Sequence, residues 1–168
     1  PVVEIGQHHE QQHQELMITD FKNVFALNPL HPVYREAVIP PGSPAPTHRW
    51  VELAGGLEWF GHAGPGFAYD NESPRHQRFV APYRMGSRLV TSGEYREFIA
   101  DGGYRRHELW LSEGWDLVNR SGWEAPLYWT DEGGQWLQMT LSGLHPVEEA
   151  EPVCHISYFE ADAYARWA

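Results

Sequence analysis

Cysteine is nearly absent from this 168-residue sequence, with Cys154 the single example. One thiol excludes an internal disulfide and any multi-thiolate metal site. It also fits a reducing compartment, so a cytoplasmic protein is expected. Basic residues are scarce too. Lys and Arg number 12 against 23 Asp and Glu, for a formal net charge of −11. Nucleic-acid affinity rests on Lys and Arg neutralising phosphates, so no nucleic-acid partner is expected. No apolar run approaches the ~20 residues that span a bilayer. No basic start followed by an apolar stretch marks a secretion signal. No membrane partner is expected either.

What remains is a globular composition, 42% hydrophobic and 21% charged. Two residue types are abundant: 10 histidines and 8 tryptophans, with aromatics at 14%. Much of the core must therefore be built of large flat rings. The first residue is Pro1, and Phe159 to Ala168 reads as a helix cut in mid-course. A piece of a longer protein is expected.

Residues 1 to about 28 read as one helix. Met17, Phe21, Val24 and Phe25 recur at the spacing of one helical face. Asn28-Pro29 ends it, because the residue before proline disfavours the helical region. Residues 29 to 48 hold Pro29, Pro32, Pro40, Pro41, Pro44 and Pro46, a density that favours an extended spacer between domains. From Arg49 on, short strands and turns are expected. Gly55-Gly56 between two apolar segments predicts a hairpin of residues 50–54 with 57–60. Gln77 to Met85 alternates as one strand. Thr91 or Ser92 caps a helix over about Gly93 to Asp101, stopped by Gly102-Gly103. Residues 110 to 137 carry five tryptophans and read as turns; Trp110, Trp115, Trp123, Trp129 and Trp136 are expected in the core. Ser157 and Glu160 form a capping-box signature for a last helix, Tyr158 to Ala168. Cys154, just before it, is expected to be buried.

The sharpest chemical feature is His9-Glu10-Gln11-Gln12-His13. Four residues along a helix is about 400°, so His9 and His13 project from one face. Two imidazoles so placed can bind one metal through neutral nitrogens. Gln12 borders the same face. His8 is rotated about 100° away and reads as a surface or packing residue. His-Glu-x-x-His is also the zinc-protease pattern. Its extended form fails here, because Leu16 and Thr19 stand where Gly and His are required.

Several strings resemble one family in collinear order. Gly6-Gln-His-His-Glu-Gln-Gln-His-Gln-Glu-Leu-Met-Ile-Thr-Asp-Phe-Lys22 resembles the last helix of the DinB-like domain in the sulfoxide synthases of ergothioneine biosynthesis. Phe67-Ala-Tyr-Asp-Asn-Glu-Ser-Pro-Arg-His76 is similar to the Phe-Asp-Asn-Glu-x-Pro-x-His stretch of their formylglycine-generating-enzyme-type (sulfatase-modifying-factor) domain. Val90-Thr91 with Tyr95 and Phe98, then Gly102-Gly103-Tyr104, resembles the next helix and turn. Pro152-Val-Cys-His-Ile-Ser-Tyr-Phe-Glu-Ala-Asp-Ala-Tyr-Ala-Arg-Trp167 resembles the helix after that.

The resemblance implies an α+β chain. Residues 1–28 would end a DinB-like helical bundle, 29–48 would be a Pro-rich linker, and 49–168 would begin a C-type-lectin-like formylglycine-generating-type domain, incomplete at both ends. It implies a mononuclear non-haem iron(II) oxygenase. That enzyme joins cysteine or γ-glutamylcysteine to the imidazole of hercynine (Nα-trimethylhistidine), using O2. Fe(2+) would be held by His9, His13 and a third histidine upstream of Pro1. Gln12 would contact the hercynine imidazole. The catalytic tyrosine would follow Ala168, so no catalytic residue is expected within this chain, and the chain alone should be inactive. Two other readings stand beside this one. One is an ovothiol-type synthase acting on histidine itself, against which Gln11-Gln12 argues by resemblance. The other is a non-catalytic C-type-lectin-like binding module. Formylglycine generation is disfavoured, because its copper site uses a pair of cysteines.

Overall fold

Helix formers without an interrupting proline run from Val2 to Leu27. There the computed structural model, which describes residues 2–37 and 42–168, has one continuous helix, α1 (Val2–Leu27). Pro40 and Pro41 of the proline-rich segment lie outside the described residues. The chain divides into two compact units, residues 1–18 with 47–88, and residues 19–46 with 89–168. The first part of α1 counts with one and its last part with the other. Helices and strands are both present, an α+β content.

The first unit carries a long antiparallel ribbon. Strand β1 (Trp50–Leu53) pairs with β4 (Tyr83–Gly86), and β2 (Gly56–Phe60) pairs with β3 (His76–Val80). The expected hairpin of 50–54 with 57–60 is therefore not formed. Trp50 lies opposite Gly86 and Phe60 opposite His76, so both ladders keep a single register and 50–60 runs alongside 76–86. Gly55 and Gly56 do not turn the chain; they mark where the ladder breaks. Gly55 has φ +67°, and a Cβ there would collide with the Val80 carbonyl oxygen. The single strand expected over Gln77 to Met85 is likewise split at Ala81-Pro82. Proline has no N–H to give to a ladder. Both faces of the ribbon are largely exposed. Two of its tryptophans are covered by guanidinium groups, Arg75 over Trp59 at 5.0 Å and Arg84 over Trp50 at 5.9 Å.

The second unit holds the core, built from Tyr95, Phe98, Tyr104, Leu109, Trp110, Val118 and Ala163. Helix α2 (Ser92–Ala100) starts where its cap predicts: Glu94 N–H donates to Thr91 Oγ1 and Thr91 N–H donates to Glu94 Oε2. Gly102, in the left-handed region at φ +78°, ends it. Helix α4 (Tyr158–Trp167) repeats the device with Ser157 and Glu160. Its Glu160 also reaches inward. Tyr104 Oη donates to Glu160 Oε1 at 2.5 Å, and Tyr104 and Tyr95 share a hydrogen bond of 3.2 Å. Burial pushes both phenols well above their ordinary pKa.

A third helix, α3 (Ser112–Ser121), lies where the tryptophan-rich stretch had read as turns. Its first residue follows Leu111, which gives no side-chain cap, so the usual start signal is missing. Gly114 sits against Phe159, so close that a Cβ would overlap it, and Gly122 at φ +64° closes the helix. After it come β5 (Trp129–Glu132), β6 (Gln135–Thr140) and β7 (Gly143–Pro146), an antiparallel sheet in sequence order. Trp110 and Trp129 are buried, Trp115 and Trp123 pack half-buried on the core, and Trp136 leans on Trp129. Cys154 is exposed, not buried. Val153 and Ile156 take the inward positions, and the chain turns at His155, φ +60°, so that Cys154 stays exposed.

Candidate functional site

Residues His9, Gln12 and His13 stand on α1, a run of Gln, Glu and His with good or neutral helix propensity. No residue of α1 is fully buried, and all three of these side chains are exposed. The helical spacing brings His9 and His13 together. Their Nε2 atoms are 3.3 Å apart, with ring centroids 4.4 Å apart and the rings crossed at 78°. Two nitrogens, each about 2.1 Å from a shared ion, lie roughly 3.0–3.4 Å apart at ordinary tetrahedral or octahedral angles. The pair thus fits two adjacent ligand positions of one ion, and neutral imidazole suits iron. Among the described residues, no group of three or more His, Cys, Asp or Glu is placed to hold a metal. The described chain offers a bidentate half-site.

His8 turns to the neighbouring side and packs, as its angle predicts. Its ring stacks on Phe67 at 4.5 Å and meets the edge of Tyr69 at 5.9 Å. Phe67 and Tyr69 contact each other at 5.0 Å. The loop that holds them is closed by Tyr69 N–H donating to Glu72 Oε2 and by His62 N–H donating to the Glu72 carbonyl. These contacts fix the rotation of α1 about its axis at the turn that carries His9.

A second feature escaped the sequence. A cleft of about 740 Å³ in the second unit is lined by Trp123, Tyr128, Trp129, Trp136, His155 and Glu160, among others. At its edge Lys22 Nζ donates to His155 Nε2 at 2.6 Å, although the two residues are 133 positions apart. Burial lowers the pKa of both groups; the Lys22 charge lowers that of His155 further, while the Cys154 thiol partly offsets the shift of Lys22. Nothing local in the sequence signals the pair.

A family described as sulfatase-modifying factor enzyme 1-like domain matches residues 36–168. The chain is 36% identical over 162 residues to a hercynine oxygenase of Mycolicibacterium thermoresistibile, covering 95% of this chain and 35% of that protein. It is 41% identical over 99 residues to a hercynine oxygenase of Mycobacterium tuberculosis, covering 59% and 23%. It is 27% identical over 146 residues to a formylglycine-generating enzyme of Streptomyces coelicolor, covering 77% and 45%. The chain therefore spans about a third or less of the length of these hercynine oxygenases.

Proposed function

The chain belongs to the sulfatase-modifying factor enzyme 1-like domain family, and from that premise we propose that it is part of an iron(II)-dependent hercynine oxygenase. In this reading residues 1–28 close a DinB-like metal-binding bundle, 29–48 link it onward, and 49–168 begin the formylglycine-generating-type domain. The enzyme joins hercynine to cysteine or γ-glutamylcysteine and leaves a sulfoxide, on the route to ergothioneine. The observation that carries the proposal is the similarity to hercynine oxygenases along 95% of the chain, and the convergence of His9 and His13 Nε2 supports the metal assignment.

His9 and His13 would hold Fe(2+) through their Nε2 lone pairs, each ring keeping its proton on Nδ1. The iron, when bound, supplies the redox partner for O2 and a positive centre for the sulfur donor. Gln12, one turn from His9, presents an amide that can hydrogen-bond the substrate imidazole and fix its ring orientation. The His8–Phe67 stack packs the neighbouring side of the same helix and supplies no ligand. No catalytic residue is assigned within residues 1–168. The chain alone, with two ligand positions, should bind iron weakly and form no sulfoxide.

Product analysis of the full-length protein tests the substrate. With O2 and iron(II), hercynine plus cysteine or γ-glutamylcysteine should yield the sulfoxide. Turnover of histidine in place of hercynine would instead favour an ovothiol-type synthase, and no turnover with any thiol would favour a binding module.

A further inference from the structure

Three non-glycine residues of the second unit hold left-handed backbone angles: His31 at φ +42°, Tyr128 at φ +75° and His155 at φ +60°. Side chains are strained there, and such strain persists where the surrounding structure over-determines it. Tyr128 and His155 address one turn of α1. Tyr128 Oη donates to Asn23 Oδ1 at 3.3 Å, and Lys22 Nζ donates to His155 Nε2 at 2.6 Å. The Lys22 ammonium also lies 5.1 Å from the centre of the Tyr128 ring, and the His155 ring meets that ring edge-on at 4.9 Å. A backbone bond from Leu127 N–H to the His155 carbonyl ties the two strained segments together. We propose that Lys22, Asn23, Tyr128 and His155 form a proton-operated clasp, which holds the last turns of α1 while His155 is neutral and releases them when His155 is protonated.

The chemistry follows from the 2.6 Å bond. While His155 is neutral, its Nε2 lone pair accepts from the Lys22 ammonium. A second proton leaves two cations and no lone pair between them, and the bond cannot survive. The groups facing His155 are Lys22 from α1, the Tyr128 phenol from the turn before β5, and the Cys154 thiol on its own segment. Glu124, Asp131 and Glu160 line the same cleft. Of these, Glu160 already accepts from Tyr104 Oη and Ser157 N–H, and Asp131 accepts from Gly134 N–H. Burial and the Lys22 charge hold His155 below its ordinary 6.5. A histidine whose folded pKa is depressed stabilises the fold above its unfolded pKa, and that contribution is lost as pH falls through the folded value. The clasp is therefore closed at pH 7 and opens below 6.5. No residue of α1 is fully buried, and Phe21 and Tyr34 make a stack at 5.8 Å that is open to solvent.

Hydrogen–deuterium exchange of residues 19–27 in the full-length protein tests the clasp between about pH 8 and about pH 5, after correction for intrinsic exchange. Protection should be constant above 6.5 and then fall by up to about tenfold per pH unit, the dependence set by one proton. In His155→Gln, whose amide oxygen accepts from Lys22 but does not titrate, protection should not change with pH. His155→Asn, better tolerated in the left-handed region, serves the same purpose if Gln disturbs the turn. In Lys22→Met the segment should be poorly protected at every pH. A pH-independent wild-type segment would overturn the proposal. So would a fall in protection that persists in both His155 variants.

Discussion

Replacing Tyr104 with Phe removes one oxygen from the middle of a buried chain of three polar groups. Tyr104 Oη donates to Glu160 Oε1 at 2.5 Å and bonds Tyr95 Oη at 3.2 Å. Glu160 is only 4% exposed, so the lost donor leaves a buried carboxylate oxygen short of a partner. Its other oxygen still accepts from Ser157 N–H at 2.7 Å. Hydrogen bonds to a charged group contribute about 1.5–3 kcal/mol, and leaving a buried acceptor unpaired adds to the cost. Tyr104→Phe should therefore destabilise α4 by about 2–3 kcal/mol, which is roughly a 30- to 150-fold loss of amide protection in residues 158–167. Tyr95→Phe removes only the neutral outer bond and should cost about 1 kcal/mol. A double-mutant cycle of Tyr104→Phe with Glu160→Gln should give a coupling of about 1–2 kcal/mol, as expected for residues in one network. Exchange measured by mass spectrometry on the full-length protein reads all of these. Unchanged α4 protection in Tyr104→Phe, or equal losses in the two tyrosine variants, would refute the claim that Glu160 depends on Tyr104.

Two further outcomes follow from positions that are tight or open. Gly103→Ala would push a methyl into the ring of Phe98, which is fully buried. Overpacking of this kind costs about 1–3 kcal/mol, so the variant should lower the melting temperature of the full-length protein, whereas Gly66→Ala, where a Cβ meets open space, should change it far less. Cys154 is exposed, so it should react with iodoacetamide in the native protein at a rate close to that of the unfolded chain; protection by more than about a hundredfold would contradict its placement.

The parts of the fold that were legible in the sequence are those specified locally. Thr91 with Glu94 and Ser157 with Glu160 each sit three residues apart, and a cap needs nothing more distant. The Asn28-Pro29 stop is equally local, and α1 ends at Leu27. The ribbon was misread because Gly55-Gly56 looks like a turn within a short window. The true partners of residues 50–60 are 76–86, and that pairing depends on contacts across the intervening loop. α3 was missed because Leu111 supplies no cap and because tryptophan-rich sequence hides a helical period. The outward position of Cys154 follows from the left-handed turn at His155, a backbone choice that a histidine does not advertise. At the candidate site the helix alone converges His9 and His13, so the pair was legible from spacing. The bond between Lys22 and His155 is a tertiary contact and could not be read from spacing.

Iron content of the full-length protein bears most directly on the proposed function. Wild-type protein reconstituted anaerobically with iron(II) should hold about one equivalent, and His9→Ala and His13→Ala should each lose metal, because neutral imidazoles are the ligands. His8→Ala, which removes a packing ring instead of a ligand, should keep it. Full iron occupancy in both His9→Ala and His13→Ala, with sulfoxide formation from hercynine undiminished, would contradict the assignment of this helix to the metal.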